Sequence, residues 1–174
     1  MSYKTELADA MFDLSQDART RFIGYGLMRG RAAGSLVDIP DELIIETPVA
    51  ENLMMGVAIG QSLAGQLPVV YFERFDFVLN AADAIVNHLS AAQYISRGAF
   101  MPAVIIRVVV GNRNKPLFTG LTHTQDFAGA FSSMCRFPVI QLTHEGEIVT
   151  EYASARHRQL QGESTMLVEF KDLI

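Results

Sequence analysis

The segment from Ala103 to Val110 is a continuous apolar run interrupted only by Arg107. A strand with one wet face alternates apolar and polar residues, so a run without alternation predicts a strand covered on both faces. Pro68-Val69-Val70-Tyr71-Phe72 has the same character. Phe22-Ile23-Gly24-Tyr25, Leu43-Ile44-Ile45, Val139-Ile140-Gln141-Leu142 and Met166 to Phe170 are further short stretches of strand type. Apolar residues at helical spacing lie between them. They predict helices over 4–17, from Thr47-Pro48 to about Ala64 with Gly65 as the stop, over 76–96, over 125–134 and over 146–160. Gly26, Gly30 and Gly34 mark a loop, and 111–122 reads as a long one, of a length that is usually functional or mobile. Strands alternating with helices predict an α/β fold: a three-layer sandwich with a mostly parallel sheet and helices on both faces, as a single domain over 1–174.

The rest of the composition narrows the function classes. Of 174 residues, 49% are hydrophobic and only 19% charged, against roughly 25% charged in ordinary soluble domains. That excludes a disordered chain or a coiled coil. Fourteen basic and 19 acidic residues leave a net charge of -5 with no basic run, so no nucleic-acid partner is expected. No apolar stretch reaches the roughly 18 residues of a membrane span, and the N-terminus has no signal pattern. With one cysteine, Cys135, the expectation is a reducing, cytoplasmic setting. Scarce charge and a mean hydropathy of +0.20 point to apolar surface used between subunits, hence to an oligomer.

Few residues stand out chemically. Gly56, Gly60 and Ala64 leave one helix face almost without side chains, suited to close approach of another backbone or of the domain's own sheet. Glu51 falls in the first turn of that helix, just beyond a strand's carboxyl end, where α/β sheets bind ligands; a carboxylate there also suits the helix dipole. Phe72-Glu73-Arg74-Phe75-Asp76-Phe77 sets three aromatics at a strand-to-helix junction, where core filling is their plain role. His123, at the end of the long loop, is a candidate for acid–base work or a simple capping group. Gly24-Tyr25-Gly26 does not extend to a dinucleotide fingerprint, and His88, His123, His144 and His157 have no metal-ligand spacing, so no metal ligands are assigned.

In order, Glu46-Thr47-Pro48-Val49-Ala50-Glu51, Gly56-Val57-Ala58-Ile59-Gly60, Leu63-Ala64-Gly65, Phe72 through Phe77, Ala82-Asp83-Ala84-Ile85-Val86-Asn87 and Thr122-His123-Thr124-Gln125 carry a resemblance. Over about residues 40–174 the chain resembles the pyrimidine-binding domain of the beta subunit of the 2-oxo acid dehydrogenase decarboxylating component. That family lies in the transketolase-like superfamily of thiamine diphosphate enzymes. Residues 1–39 depart from it: Gly24-Tyr25-Gly26-Leu27 stands where the family has acidic residues.

The resemblance implies that Glu51 hydrogen-bonds a pyrimidine nitrogen of thiamine diphosphate and favours the imino tautomer. It implies that Phe77, or failing that Phe75, stacks on the aminopyrimidine, and that His123 orients or protonates the substrate-derived group. Asp83 and Asn87 are expected to be structural, near a subunit contact. The family's Gly-Asp-Gly and paired asparagine, which hold magnesium and diphosphate, have no match in this sequence. Mg2+ and the diphosphate are therefore expected on a partner subunit, in a heterotetramer with a second copy of this chain. The chain stops at Ile174, short of the family's C-terminal domain. The expectation is thus a split enzyme acting on a 2-oxo acid or ketose as decarboxylase, carboligase or ketol transferase. The alternative is a non-catalytic structural or regulatory partner of such an enzyme.

Overall fold

A computed structural model describes residues 2–115 and 120–174. The six strands are β1 (Thr20–Gly24), β2 (Ile44–Glu46), β3 (Leu67–Phe72), β4 (Ile105–Val110), β5 (Val139–Gln141) and β6 (Thr165–Phe170). They form one sheet of order β2-β1-β3-β4-β6-β5 in which every pairing is parallel. The helices are α1 (Tyr3–Ser15), α2 (Leu27–Gly30), α3 (Glu51–Leu63), α4 (Ala91–Ile95), α5 (Ala128–Met134) and α6 (Ile148–Leu160).

Every residue of β3, β4 and β6 is buried, as unalternating apolar runs require. Alternate residues feed two cores. Ile106, Val108 and Val110 point to one, shared with Met54 and Met55 of α3, Phe75 and Phe131. Ile105 and Val109 point to the other, shared with Leu7 and Met11 of α1 and Ile148 and Ala155 of α6. The three-layer α/β sandwich predicted from the sequence is the observed architecture.

The one charge in β4 lies in the second layer. Arg107, 1% exposed, donates from Nε and Nη2 to the two carboxylate oxygens of Glu169 at 2.8 and 3.1 Å. The Tyr152 hydroxyl of α6 also donates to Glu169, and Arg107 reaches Ser35 Oγ at 3.1 Å. Burial opposes the charge on Arg107, and the adjoining Glu169 carboxylate outweighs it, keeping the guanidinium charged.

Several predicted boundaries are corrected. α3 starts at Glu51 rather than at Thr47-Pro48, because the Thr47 N–H is used by the Gly24 carbonyl at 2.9 Å, extending the β1–β2 pairing. Its end is as predicted: Gly65 at φ +83 closes it with N–H bonds from Gly65 to Ser62 and from Gln66 to Gln61.

The predicted long helix over 76–96 is three pieces. Phe75–Ala81 is wound at three residues per turn, which lines up buried Phe75, Val78 and Ala81 on the core side. Ala84–Ser90 is wound wider, as a π-helix, burying the pairs Ala84/Leu89 and Ile85/Ser90 five residues apart, and α4 follows. The loop over 26–34 contains α2 and a tight turn over Arg31–Gly34, and the helix predicted from 125 begins at Ala128. Residues 116–119 of the predicted long loop lie outside the described residues.

Removing one member of a buried ion pair strands the other charge, at a cost of about 3–5 kcal/mol. Glu169→Gln should therefore lower the unfolding free energy in urea by about 3 kcal/mol. The double replacement Arg107→Met with Glu169→Leu should cost less than either single one; a double variant weaker than both would refute the buried-charge account.

Candidate functional site

The chain runs from β1 outward to β2 and then crosses back to β3 on the other side of β1. Such a reversal opens a crevice beyond the carboxyl ends of the strands, here between β1 and β3, and ligands of open α/β sheets bind there. Its rim comprises Gly24 at the end of β1 and Tyr25 just after it, Glu46 at the end of β2, Glu51 at the start of α3, and Glu73 and Arg74 after β3. Glu46 holds the β1 exit in place by accepting from the N–H groups of Gly26 and Met28, the latter at 2.8 Å.

Glu51 is 6% exposed, and its Oε2 accepts from Asn80 Nδ2 at 3.2 Å. No side chain caps α3, and Glu51 is the acidic residue of its first turn, a position that suits the helix dipole. Tyr25 is half-buried. Burial first, and then the Glu73 and Glu51 carboxylates, push its phenol up to about 12, so at neutral pH it remains a hydrogen-bond donor.

Phe77 is partly exposed, and its ring meets the imidazole of His123 edge-on, with centroids 5.1 Å apart. Asn80 stands three residues on, one turn of the same 75–81 segment. One element thus presents an aromatic to His123 and an amide to Glu51, and the three residues singled out in the sequence are joined through Asn80 and Phe77. Phe75 is different: it is fully buried, stacked on Phe131 at 5.7 Å and edge-on to Phe127 at 5.8 Å, with no free face for a ligand.

His123 closes the turn Gly120–His123, with Nδ1 3.2 Å from Thr122 Oγ1. Two contacts hold this segment. Gln125 Nε2 donates to Asp76 Oδ1 at 2.8 Å, and Gly111 lies so close that a Cβ there would overlap the His123 carbonyl oxygen. Asp76, Gln125 and Tyr25 lie within stretches singled out in the sequence but were assigned no role there, and Asn80 and Gly111 were not singled out as site residues. Only the i, i+3 spacing of Phe77 and Asn80 was readable in advance.

Asp83 and Asn87 lie at the surface, where Asn87 Nδ2 donates to Asp83 Oδ1 at 2.8 Å and His88 Nε2 sits 3.2 Å from Asp83 Oδ2. The glycine face of α3 does not pack on its own sheet: a Cβ at Gly56 or Gly60 would meet nothing within 4 Å. Leu53 and Leu63 on the same helix are 49% and 51% exposed. Burial pushes the Cys135 thiol up to about 11, leaving little thiolate at neutral pH and no nucleophile there. Among the described residues no group of three or more His, Cys, Asp or Glu could hold a metal ion, and no helix is long and apolar enough to cross a membrane.

The two kinds of glycine should behave oppositely in the isolated chain. Gly111→Ala must displace the His123 segment and should cost about 1–3 kcal/mol in a urea titration. Gly60→Ala removes the helix penalty of glycine at an open position and should add up to about 1 kcal/mol. Equal effects of the two substitutions would contradict this packing.

No family model matches the chain. It is 30% identical over 117 residues to the mitochondrial pyruvate dehydrogenase E1 component subunit beta of Dictyostelium discoideum, covering 67% of this chain and 30% of that protein. It is 26% identical over 146 residues to the corresponding subunit of Rickettsia conorii, covering 80% and 44%. The chain thus spans less than half the length of these relatives. Among solved structures, a split gene transketolase described as an inactive beta4 tetramer superposes with a TM-score of 0.75 at 15% identity, covering 98% of this chain and 52% of that one. A thiamine diphosphate-dependent 4-hydroxybenzoylformate decarboxylase from Rhodococcus jostii RHA1 superposes with a TM-score of 0.69 at 13% identity, covering 96% and 30%. Over part of their length the chain is thus similar in sequence to pyruvate dehydrogenase E1 component beta subunits, and it shares its α/β fold with the split gene transketolase.

Proposed function

We propose that this chain is the pyrimidine-binding part of a split thiamine diphosphate-dependent enzyme. The enzyme acts on a 2-oxo acid or a ketose, by decarboxylation or by acyl or ketol transfer. The observation that carries the reading is Glu51: a buried carboxylate at a helix start beside the sheet's crevice, engaged by Asn80, with the Phe77–His123 pair on the neighbouring element. Its Oε1 has no hydrogen bond among the described residues, so it can accept one from a ring nitrogen. These residues suit the aminopyrimidine end of the cofactor. The set offers nothing for a diphosphate or Mg2+, and in this reading a diphosphate-binding partner subunit brings both.

When bound, thiamine diphosphate supplies a carbon acid that adds to a substrate carbonyl. Glu51 holds a proton at the ring nitrogen, in a site where burial limits competition from water. Phe77 provides an aromatic face against which a flat ring packs, and Asn80 fixes the Glu51 carboxylate. His123, oriented by Phe77 and by the Asp76–Gln125 contact, exchanges a proton at the substrate end.

The partners in this reading are the diphosphate-binding subunit and a second copy of this chain, as a heterotetramer. The open face of α3 supports it. After Glu51 that helix carries no charge, so it meets an identical face without like-charge repulsion, and Gly56 and Gly60 allow close approach.

In the complex reconstituted with its partner, Glu51→Gln should lower turnover by about 10²–10⁴-fold while assembly and bound cofactor stay measurable by gel filtration and cofactor assay. Near-full activity in that variant would remove Glu51 from the mechanism. A wild-type complex that assembles but never retains added thiamine diphosphate would instead mark the chain as a non-catalytic partner.

A further inference from the structure

The contacts that hold the His123 segment start from one junction, where β3 gives way to the 75–81 segment. Asp76 takes the Gln125 side chain, and Phe77 meets the imidazole. Arg74 directly precedes both. Its side chain is almost fully buried, with Nη1 on the Glu73 carbonyl at 2.7 Å and 3.7 Å from the Glu73 carboxylate. Its Nε is buried and has no hydrogen-bond partner. A charged donor left unmet in the interior is costly, so the acceptor nearest to it matters.

Gly111 shows what lies there. A Cβ on Gly111 would stand 3.4 Å from Arg74 Nε and 1.9 Å from the His123 carbonyl oxygen. The N–H and the carbonyl thus border the same small space, which stays open because residue 111 has no side chain. The His123 carbonyl accepts no hydrogen bond among the described residues. An orphan donor and a free acceptor therefore flank one gap. The Nε is sealed from solvent beneath this segment, so it acts on the chain rather than on a ligand.

We propose that Arg74 is a positioning residue for His123: its Nε donates to the His123 carbonyl beside Gly111 and fixes where the imidazole stands. This rests on the reading of His123 as the group that exchanges a proton at the substrate end. Residues 74, 76 and 77 then grip one short segment by its backbone, by the Gln125 side chain and by the imidazole ring. A group that moves a proton must stand within hydrogen-bond reach of it, so a small displacement of His123 is felt in turnover more than in binding.

Two substitutions isolate the Nε contact. Arg74→Gln keeps an N–H donor on Cδ, where Nε stands, and Arg74→Met places a methyl group there; both lose the charge and the Glu73 contacts. The first readout, in the full chain alone, is hydrogen exchange of the Thr124 amide, which donates to the Leu121 carbonyl at 3.3 Å. Exchange about tenfold faster is expected in Arg74→Met, and within about threefold of wild type in Arg74→Gln. In the complex reconstituted with its partner, Arg74→Met should lower kcat about tenfold with KM changed less than about threefold, and Arg74→Gln should restore most of the loss. Gln and Met variants that match each other in exchange or in stability overturn the proposal, as does a Met variant indistinguishable from wild type. Exchange in the expected order with turnover unchanged leaves the Arg74–His123 contact standing and removes His123 from the chemistry.

Discussion

Arg107 and Glu169, each 1% exposed, meet between β4 and β6, and much of the molecule is arranged around that pair. Three central strands are buried on both faces, so a charge placed on them has no solvent and must find its counterion inside. The pair draws in Tyr152 from α6 and Ser35 from the turn after α2. Tyr3 of α1 closes the same region, donating to the Leu142 carbonyl at 3.0 Å and accepting from the Phe170 N–H at 3.2 Å. Burial and the nearby Glu169 carboxylate push the Tyr3 phenol well up, so it stays protonated and bonded. One polar knot thereby ties two helices and a turn to the sheet, where apolar packing alone would leave their register loose.

The other face has no such knot. It is an apolar layer of Met54, Met55, Phe75, Phe131 and the strand residues above them. Directionality there comes from winding: the tight turns of 75–81 and the wide ones of 84–90 follow the positions that must be buried. That irregularity is what sets Asn80 toward Glu51 and Phe77 toward His123. A straight helix over the same residues would have carried Phe77 and Asn80 round by a different angle. The candidate site therefore depends on a departure from regular helix geometry.

Much of this was legible in the chain. Unalternating apolar runs mean two-sided burial, and the parallel three-layer sheet follows from that. Glu51, Phe77 and His123 were recognisable because residues around them form patterns in order. Where the reading went astray, the cause lies in competition between interactions. Thr47 is a good helix cap, yet its N–H goes to Gly24, and α3 starts later. The pattern of 76–96 is helical in period, but an average over twenty residues cannot show that its turns differ in width. Phe75 and Phe77 are equivalent in sequence and opposite in the fold, one sealed between Phe127 and Phe131, the other open beside His123.

By itself the sequence determined the architecture, because burial pattern and helical period are local properties written in residue order. It also singled out Glu51, Phe77 and His123 as candidates. The tertiary structure alone decided which residues meet: Asn80 with Glu51, Asp76 with Gln125, and Gly111 beneath His123. They join positions 29, 49 and 12 residues apart in the chain. Such contacts arise from packing the whole sheet at once, and no stretch of chain records them.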